Sequence, residues 1–145
     1  MADSMVLDTS ACFALLQNEP GAEDVEAFLV EARESRLALH GSFVTLTELE
    51  YIITQEESAA DAALALAKVK AWPVKWLHSD ANLCSEAAKL KAAHRLSFAD
   101  SFVAATAMRL GAVLVHKDPE FNAVSSEVKQ RVLPPKGAAG AEPTT

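Results

Sequence analysis

Four carboxylates stand where the sequence predicts strands to end or helices to begin: Asp8, Glu48, Asp100 and Asp118. Asp8 and Asp118 each follow a short apolar stretch that is typical of a β-strand. Glu48 and Asp100 each fall near the start of a predicted helix. In a parallel sheet whose strands are joined by helices, these positions lie at the edge formed by the carboxyl ends of the strands. We therefore expect the four side chains to share one site.

The chemistry that such a set of acids favours is metal-assisted hydrolysis. Carboxylates without His or Cys partners suit hard cations, Mg²⁺ or Mn²⁺, rather than zinc. Such a cation activates a bound water and offsets charge on a phosphate, which suits phosphodiester hydrolysis. Glu48 and Asp100 share their helix faces with apolar residues, where an unpaired charge is costly. Glu50 also has apolar neighbours, so periodicity alone does not choose between Glu48 and Glu50.

Helix capping is the alternative explanation for each acid. Asp8 could cap the first predicted helix, and Asp118 could cap a turn that begins at Pro119. Glu48 and Asp100 each lie three residues after a Thr or Ser, which is the spacing of a capping box. Capping accounts for the acids one at a time, but it does not explain why all of them fall on one edge with few bases nearby.

The elements that would position these acids alternate between strand and helix. Strands are predicted at residues 5–7, 37–39, 74–77, 112–115 and about 128–133. Helices are predicted at about residues 9–18, 22–35, 43–55, 58–71, 80–94 and 98–110. This order predicts an α/β domain with a parallel sheet and helices on both faces. The domain would span residues 1–133, and the Pro-, Gly- and Ala-rich residues 134–145 would form a flexible tail.

Charge is distributed unevenly along the chain. Residues 1–61 hold 13 acidic and 2 basic side chains, whereas residues 62–145 hold 7 acidic and 11 basic ones. A surface that binds phosphate groups would therefore belong to the second part. Cys12 and Cys84 lack metal-ligand spacing and are expected to be buried, reduced thiols. Without a basic leader or a long apolar run, a cytoplasmic protein with no membrane span is expected.

Four sequence segments carry a resemblance to a known family. They are residues 6–10 (VLDTS), 44–51 (VTLTELEY), 96–107 (LSFADSFVAATA) and 113–121 (VLVHKDPEF). Their order and spacing resemble a PIN domain, most closely the VapC-type toxin ribonuclease of a VapBC toxin–antitoxin pair. The resemblance extends over about residues 5–133.

The resemblance implies a three-layer α/β/α sandwich with a parallel sheet of about five strands in the order 3-2-1-4-5. It implies a Mg²⁺-dependent endoribonuclease that hydrolyses RNA phosphodiester bonds by metal-activated water. Asp8, Glu48, Asp100 and Asp118 would form the metal and catalytic set, with Glu48 chosen over Glu50. The resemblance also implies a homodimer and a cognate antitoxin that covers the active site.

Two further positions bear on the metal site that the resemblance implies. Ser10 matches a small polar position that supports the first Asp of the family. His116 departs from the pattern, because the family usually has Thr or Ser two residues before its fourth acid. Either His116 replaces that hydroxyl or it points into the substrate groove, and the sequence leaves both open.

Other functional classes are also compatible with acids on a parallel sheet. A phosphoacceptor receiver domain would use an Asp at the end of its third strand, where Asp80 lies close by. A phosphatase with an Asp-x-Asp nucleophile is disfavoured, because Ser10 occupies the second position. A PIN-like module that binds without catalysis is the third alternative, although the full set of acids speaks against it.

Overall fold

A parallel sheet organises residues 3–137, which are the residues that the computed structural model describes. Its strands are β1 (Asp3–Leu7), β2 (Leu37–Ser42), β3 (Val74–Leu77), β4 (Val113–His116) and β5 (Gln130–Val132). The helices are α1 (Thr9–Leu16), α2 (Ala22–Arg33), α3 (Phe43–Glu56), α4 (Ala59–Lys70), α5 (Ala81–Ala93) and α6 (Phe98–Leu110). A short 3-10 helix (Pro119–Val124) connects β4 to β5.

The strand order is β3-β2-β1-β4-β5, and every pair is parallel. The predicted α/β/α fold and its 3-2-1-4-5 order are thus confirmed. A receiver domain would show the order 2-1-3-4-5 instead. The connections reverse direction at β1, which pairs with β2 on one side and with β4 on the other. A crevice at the carboxyl ends of β1 and β4 is where such sheets bind ligands.

The two central strands are buried on both faces. Val6 and Leu114 belong to the core that packs against α5 and α6, whereas Leu7 and Val115 belong to the core that includes α1 and α2. Successive side chains of a strand point to opposite faces, so both must be apolar when helices cover both faces. The ends of β1 and β4 are therefore held in place by apolar packing on both faces of the sheet.

The predicted strands and helices are all present, and the differences lie at their ends. β1 begins at Asp3 rather than at residue 5, and β2 continues to Ser42 rather than ending at residue 39. The extension of β2 is held by pairing with β3 through Gly41 and Ser42. Residues 40–42 are polar or small, so they gave no strand signal.

The expectation for the cysteines is correct for one of the two. Cys12 is buried, but Cys84 is exposed, so the prediction of a buried thiol at residue 84 is wrong. The buried face of α5 carries Leu83, Ala87 and Leu90. Cys84 lies about 100° around the helix from Leu83, which places its side chain towards solvent.

The end of the described chain folds back towards α1 and α2. Lys136 lies 3.4 Å from the Glu19 carboxylate, although its own side chain is largely exposed. Residues 138–145 of the predicted flexible tail lie outside the described residues. Within residues 3–137, none of the helices is both long and apolar enough to cross a membrane.

Gly41 lets the indole ring of Trp76 pack directly against the backbone of β2. A Cβ at this position would lie 2.1 Å from Cζ3 of Trp76, its register partner on β3. The indole ring therefore occupies the space that any other residue at position 41 would need.

We predict that Gly41→Ala destabilises the fold by about 1–3 kcal/mol through overpacking. Urea unfolding measures the change. In the double variant Gly41→Ala/Trp76→Leu the cost should be smaller than the sum of the two single costs, by about 0.5 kcal/mol or more. Additive costs would show that contact with the indole ring is not the cause.

Candidate active site

Asp8 is held at the carboxyl end of β1 as the N-cap of α1. Its side chain is 2% exposed, and its Oδ2 accepts hydrogen bonds from the Ser10 backbone N (3.1 Å) and the Ser10 hydroxyl (2.7 Å). The Ser10 hydroxyl oxygen in turn accepts from the backbone N of Lys117 at 2.9 Å. Ser10 therefore fixes one oxygen of Asp8 and ties it to the end of β4.

The other oxygen of Asp8 is buried and lacks a hydrogen-bond partner among the described residues. A buried carboxylate oxygen without a donor is costly, and it is rare unless a ligand satisfies it. The carboxylate is thus oriented by one oxygen while the second is left free to bind.

Asp100, Asp118 and Glu120 form a tight acidic group at the same edge. Each offers a carboxylate oxygen, and the three oxygens lie within 4.8 Å of one another. Asp100 is buried, Asp118 is half-buried and Glu120 is exposed. Asp118 caps the 3-10 helix, since its Oδ1 accepts from the backbone N of Glu120 at 2.9 Å.

Glu120 takes the place of Asp100 in the cap of α6. Ser97 caps α6 through its hydroxyl, which accepts from the Asp100 backbone N at 3.0 Å. In a capping box, the Asp100 carboxylate would accept from the Ser97 backbone N. Here Oε1 of Glu120 accepts that hydrogen bond at 2.9 Å, so the Asp100 carboxylate is left for the acidic group.

The crowding of acids changes their protonation. Burial raises the pKa of Asp100 to about 9, with further contributions from the negative charge of Asp8 and from the Asp118 and Glu120 carboxyls beside it. Burial likewise raises the pKa of Asp8, although the hydrogen bonds from Ser10 oppose the shift. Without a cation, Asp100 therefore retains its proton near neutral pH.

Glu48 lies beside α1, and Glu50 does not. The Thr9 hydroxyl, next to Asp8, donates to Oε1 of Glu48 at 2.6 Å and lies 3.1 Å from the Thr45 hydroxyl. Glu48 is half-buried, whereas Glu50 is exposed. Since α3 begins at residue 43 with another residue as its cap, Glu48 is not a capping residue. Of the two acids that periodicity left open, Glu48 is the one whose side chain contacts the helix that Asp8 caps.

His116 is 1% exposed, so it does not point into the groove. Its Nδ1 accepts from the backbone N of Asp118 at 3.0 Å, and its Nε2 lies 2.8 Å from Oε1 of Gln130. Lys117, the next residue, turns its amine to Glu19 at 3.1 Å. The nearest base in the sequence therefore does not neutralise the acids of the site.

These features fit a divalent cation. The donors are hard carboxylate oxygens, one of them buried and unpartnered on Asp8, and three others are grouped on Asp100, Asp118 and Glu120. Mg²⁺ and Mn²⁺ prefer such ligands. A bound cation would favour the ionised carboxylates that burial disfavours.

Two residues that contact these acids, Glu120 and Thr9, were not predicted from the sequence as part of the site. Glu120 follows Asp118 by two positions in the Asp-Pro-Glu segment. An acid in the first turn of a helix is commonly explained by its favourable interaction with the helix dipole. Thr9 directly follows Asp8 and reads as the start of a helix. Both signals were present, but each had an ordinary structural explanation.

The model of the PIN domain family matches residues 5–127. The chain belongs to the PIN domain family. No curated protein matches this PIN domain. Several solved structures share its fold, and 42 matching chains were found.

VapBC2 from Rickettsia felis, solved with a promoter DNA fragment, aligns with a TM-score of 0.72 at 15% identity, covering 90% of this PIN domain and 98% of that chain. DNA-bound VapBC from Salmonella typhimurium gives a TM-score of 0.71 at 22% identity, with coverages of 91% and 98%. VapC20 from Mycobacterium tuberculosis, described as a sarcin–ricin loop cleaving toxin, aligns with a TM-score of 0.67 at 20% identity. The alignment covers 83% of this PIN domain and 94% of that chain. At these identities the likeness concerns the fold.

We predict that Asp100→Asn makes the metal-free protein more stable at alkaline pH. The pKa of Asp100 is raised from 3.8 to about 9 in the folded protein. Between these two values the unfolded chain releases the proton while the folded protein keeps it, so the free energy of unfolding falls progressively as pH rises. Asn cannot ionise, so its advantage should be absent near pH 4 and largest near pH 9. For a domain of this size, a gain of 1 kcal/mol raises Tm by roughly 3 °C. Thermal unfolding in EDTA at several pH values measures it, and equal Tm values at pH 8 would contradict it.

Proposed function

We propose that this PIN domain is a Mg²⁺-dependent endoribonuclease, the toxin of a type II toxin–antitoxin system, with Mn²⁺ as an alternative cation. The observation that carries the proposal is the buried Oδ1 of Asp8, which has no hydrogen-bond partner among the described residues, together with the group of Asp100, Asp118 and Glu120, in which Asp100 lies near enough for the charge of Asp8 to raise its pKa. Helix capping explains the other oxygen of Asp8, but it leaves this oxygen without a role.

Asp8, Asp100 and Asp118 would hold the cation, with Glu120 at the exposed side. When bound, the cation would lower the pKa of a coordinated water and offset negative charge on the phosphate. Ser10 keeps the Asp8 carboxylate in one orientation through two hydrogen bonds. The buried position of Asp100 limits the entry of bulk water from that side.

Glu48 would orient and deprotonate the attacking water. Its Oε1 is held by the Thr9 hydroxyl, which leaves Oε2 available to accept the proton. Attack of the water oxygen on phosphorus would form one P–O bond and break the bond between phosphorus and the 3′ oxygen. The departing 3′ oxygen would take up a proton from solvent, which leaves a 5′-phosphate and a 3′-hydroxyl. The overall reaction consumes one water for each bond broken.

RNA as the substrate is supported by the family resemblance and by the description of VapC20 as a loop-cleaving toxin. The bases of the second part of the chain are the candidates to contact its backbone. Arg109 and Lys117 already pair with acids, whereas Lys91, Arg95 and Lys129 are exposed. Exposed Lys and Arg side chains supply most of the affinity for a phosphate backbone.

A protein partner is supported by the descriptions of two further matching structures, one a member of the VapBC family of toxin–antitoxin systems and the other a toxin–antitoxin complex. In this chain, neighbouring cavities of about 380 and 220 Å³ share Phe13 and Gln17 in their linings. The larger reaches Ser10 beside Asp8, and the smaller is bordered by Leu64, whose side chain is 71% exposed. We propose that an antitoxin binds along this surface of mixed apolar and charged side chains and covers the acids, and that the toxin itself is a homodimer.

Asp8→Asn is predicted to abolish Mg²⁺-dependent cleavage of RNA with little change in folding. Asn keeps an oxygen for the Ser10 hydrogen bonds but removes the charge that would bind the cation. The measurement is cleavage of labelled RNA with Mg²⁺ and with EDTA, together with sequencing of 5′-phosphate RNA ends from a bacterial host that expresses either protein. Full activity of Asp8→Asn would contradict the role of Asp8 as a ligand of the cation. Inactivity of the wild type with Mg²⁺ would favour a module that binds RNA without cleaving it.

Glu48→Gln and Glu50→Gln form a matched pair on the same helix. Loss of a general base costs about 100-fold or more in rate. We therefore expect Glu48→Gln to lower kcat by that order, while Glu50→Gln, whose side chain is exposed, leaves kcat unchanged. Single-turnover cleavage rates separate the two. The reverse result would transfer the role to Glu50.

A further inference from the structure

His116 and Gln130 form a hydrogen-bonded chain that ends on Asp118. The backbone N of Asp118 donates to Nδ1 of His116 at 3.0 Å, and Nε2 of His116 lies 2.8 Å from Oε1 of Gln130. Nε2 of Gln130 donates to the backbone oxygen of Phe121 at 2.8 Å. This series of hydrogen bonds thus begins at Asp118 and ends at Phe121, both in the segment that also carries Glu120.

The direction of each hydrogen bond follows from the donors available. The amide nitrogen of Gln130 donates to a carbonyl, so its oxygen is the atom that faces His116. That oxygen can only accept, and Nε2 of His116 must therefore carry the proton. Nδ1 of the neutral ring is then left with a lone pair, which is what the backbone N of Asp118 requires. Gln130 therefore selects the tautomer of His116 that can hold Asp118.

The bond to Asp118 determines the path of the backbone beyond β4. A side-chain acceptor that bonds the N–H two residues on produces a tight turn, as Asn, Asp, Ser and Thr commonly do. His116 makes this bond to Asp118, and Asp118 repeats it with the backbone N of Glu120 at 2.9 Å. The two successive turns bring the carboxylates of Asp118 and Glu120 next to Asp100.

The chain is anchored in a rigid part of the fold. His116 is 1% exposed, and its ring centroid lies 4.7 Å from that of Phe121, a buried core residue. Gln130 stands on β5, which pairs with β4 through three register positions. A Ser or Thr hydroxyl at position 116 could bond the same backbone N, but it is too short to reach Gln130 as well.

We infer that His116 and Gln130 are positioning residues that hold the Asp118 carboxylate in place for the divalent cation. The inference rests on the proposed function, because it assumes that Asp118 binds the cation. Neither side chain touches the reacting groups, since one is buried and the other lies beneath the 3-10 helix through its bond to Phe121. Their effect is exerted through the backbone N of Asp118.

Mn²⁺ affinity measured by calorimetry, without RNA, tests the inference. His116→Leu removes the acceptor and should weaken binding roughly 10- to 100-fold, as losses of supporting groups at metal sites do. His116→Asn should restore most of the affinity, because its side-chain oxygen can accept from the same backbone N. Circular dichroism and thermal unfolding check that each variant is folded.

Gln130→Met supplies the second arm, which stands even if His116→Leu does not fold. With His116 present, Gln130→Met should weaken Mn²⁺ binding several-fold, and ¹⁵N NMR of the imidazole should show loss of the single tautomer protonated at Nε2. In the His116→Asn background the same substitution should have little effect, because Asn needs no tautomer selection.

The outcomes are distinguishable from those of the proposed function. Wild-type protein that binds no Mn²⁺ would contradict the proposed function and this inference with it. The positioning role alone would be overturned if the wild type binds Mn²⁺ and folded His116→Leu binds it with unchanged affinity. It would also be overturned if His116→Asn did not recover the affinity that His116→Leu loses. Equal effects of Gln130→Met in both backgrounds would exclude Gln130 from that role.

Discussion

Burial of several carboxylates at one edge of the sheet is the constraint around which this PIN domain is arranged. Asp8 and Asp100 are buried close enough for the charge of one to raise the pKa of the other. The chain does not oppose this repulsion with a nearby lysine, since Lys117 turns to Glu19. It uses hydrogen-bond donors of the adjoining turns instead, which hold the acids in place without neutralising them. The carboxylates therefore have no competing basic partner among these residues, and a bound cation would displace the proton that Asp100 retains.

Capping and cation binding are compatible uses of the same local geometry. The N-cap position places a carboxylate where a strand ends and a helix begins, with one oxygen bound to the backbone. Asp8 and Asp118 both follow this pattern. The other oxygen of each then projects towards the edge of the sheet, where a ligand would be bound. The capping of Asp8 and Asp118 is therefore confirmed, and it leaves the proposed metal role of the same acids open to test.

The sequence predicted the fold and the location of the acids well because strong local signals specify them. β1 and β4 are continuous apolar runs, and their central burial makes the positions after them the natural place for a site. The family resemblance added the strand order, which local patterns could not supply. It also favoured Glu48, a preference that the contact with Thr9 now supports geometrically.

The remaining features depended on contacts that no local pattern encodes. Glu120 joins the acids through a hydrogen bond to Ser97, 23 residues away in the chain. The orientation of His116 depends on Gln130, which belongs to a strand of only three residues. Cys84 was misplaced because an Ala-rich helix has a weakly marked apolar face. In each case tertiary contacts, rather than propensity, decided the outcome.

The hydrogen bond from the backbone N of Lys117 to the hydroxyl of Ser10 joins residues separated by 107 positions. During synthesis from the N-terminus, the ribosome has made most of the domain before this partner exists. The acids of β1 and α3 therefore emerge long before those that follow α6 and β4. A nascent chain that is interrupted anywhere before β4 lacks a complete site, so any activity of the domain begins only after β4 and the acids that follow it have been translated.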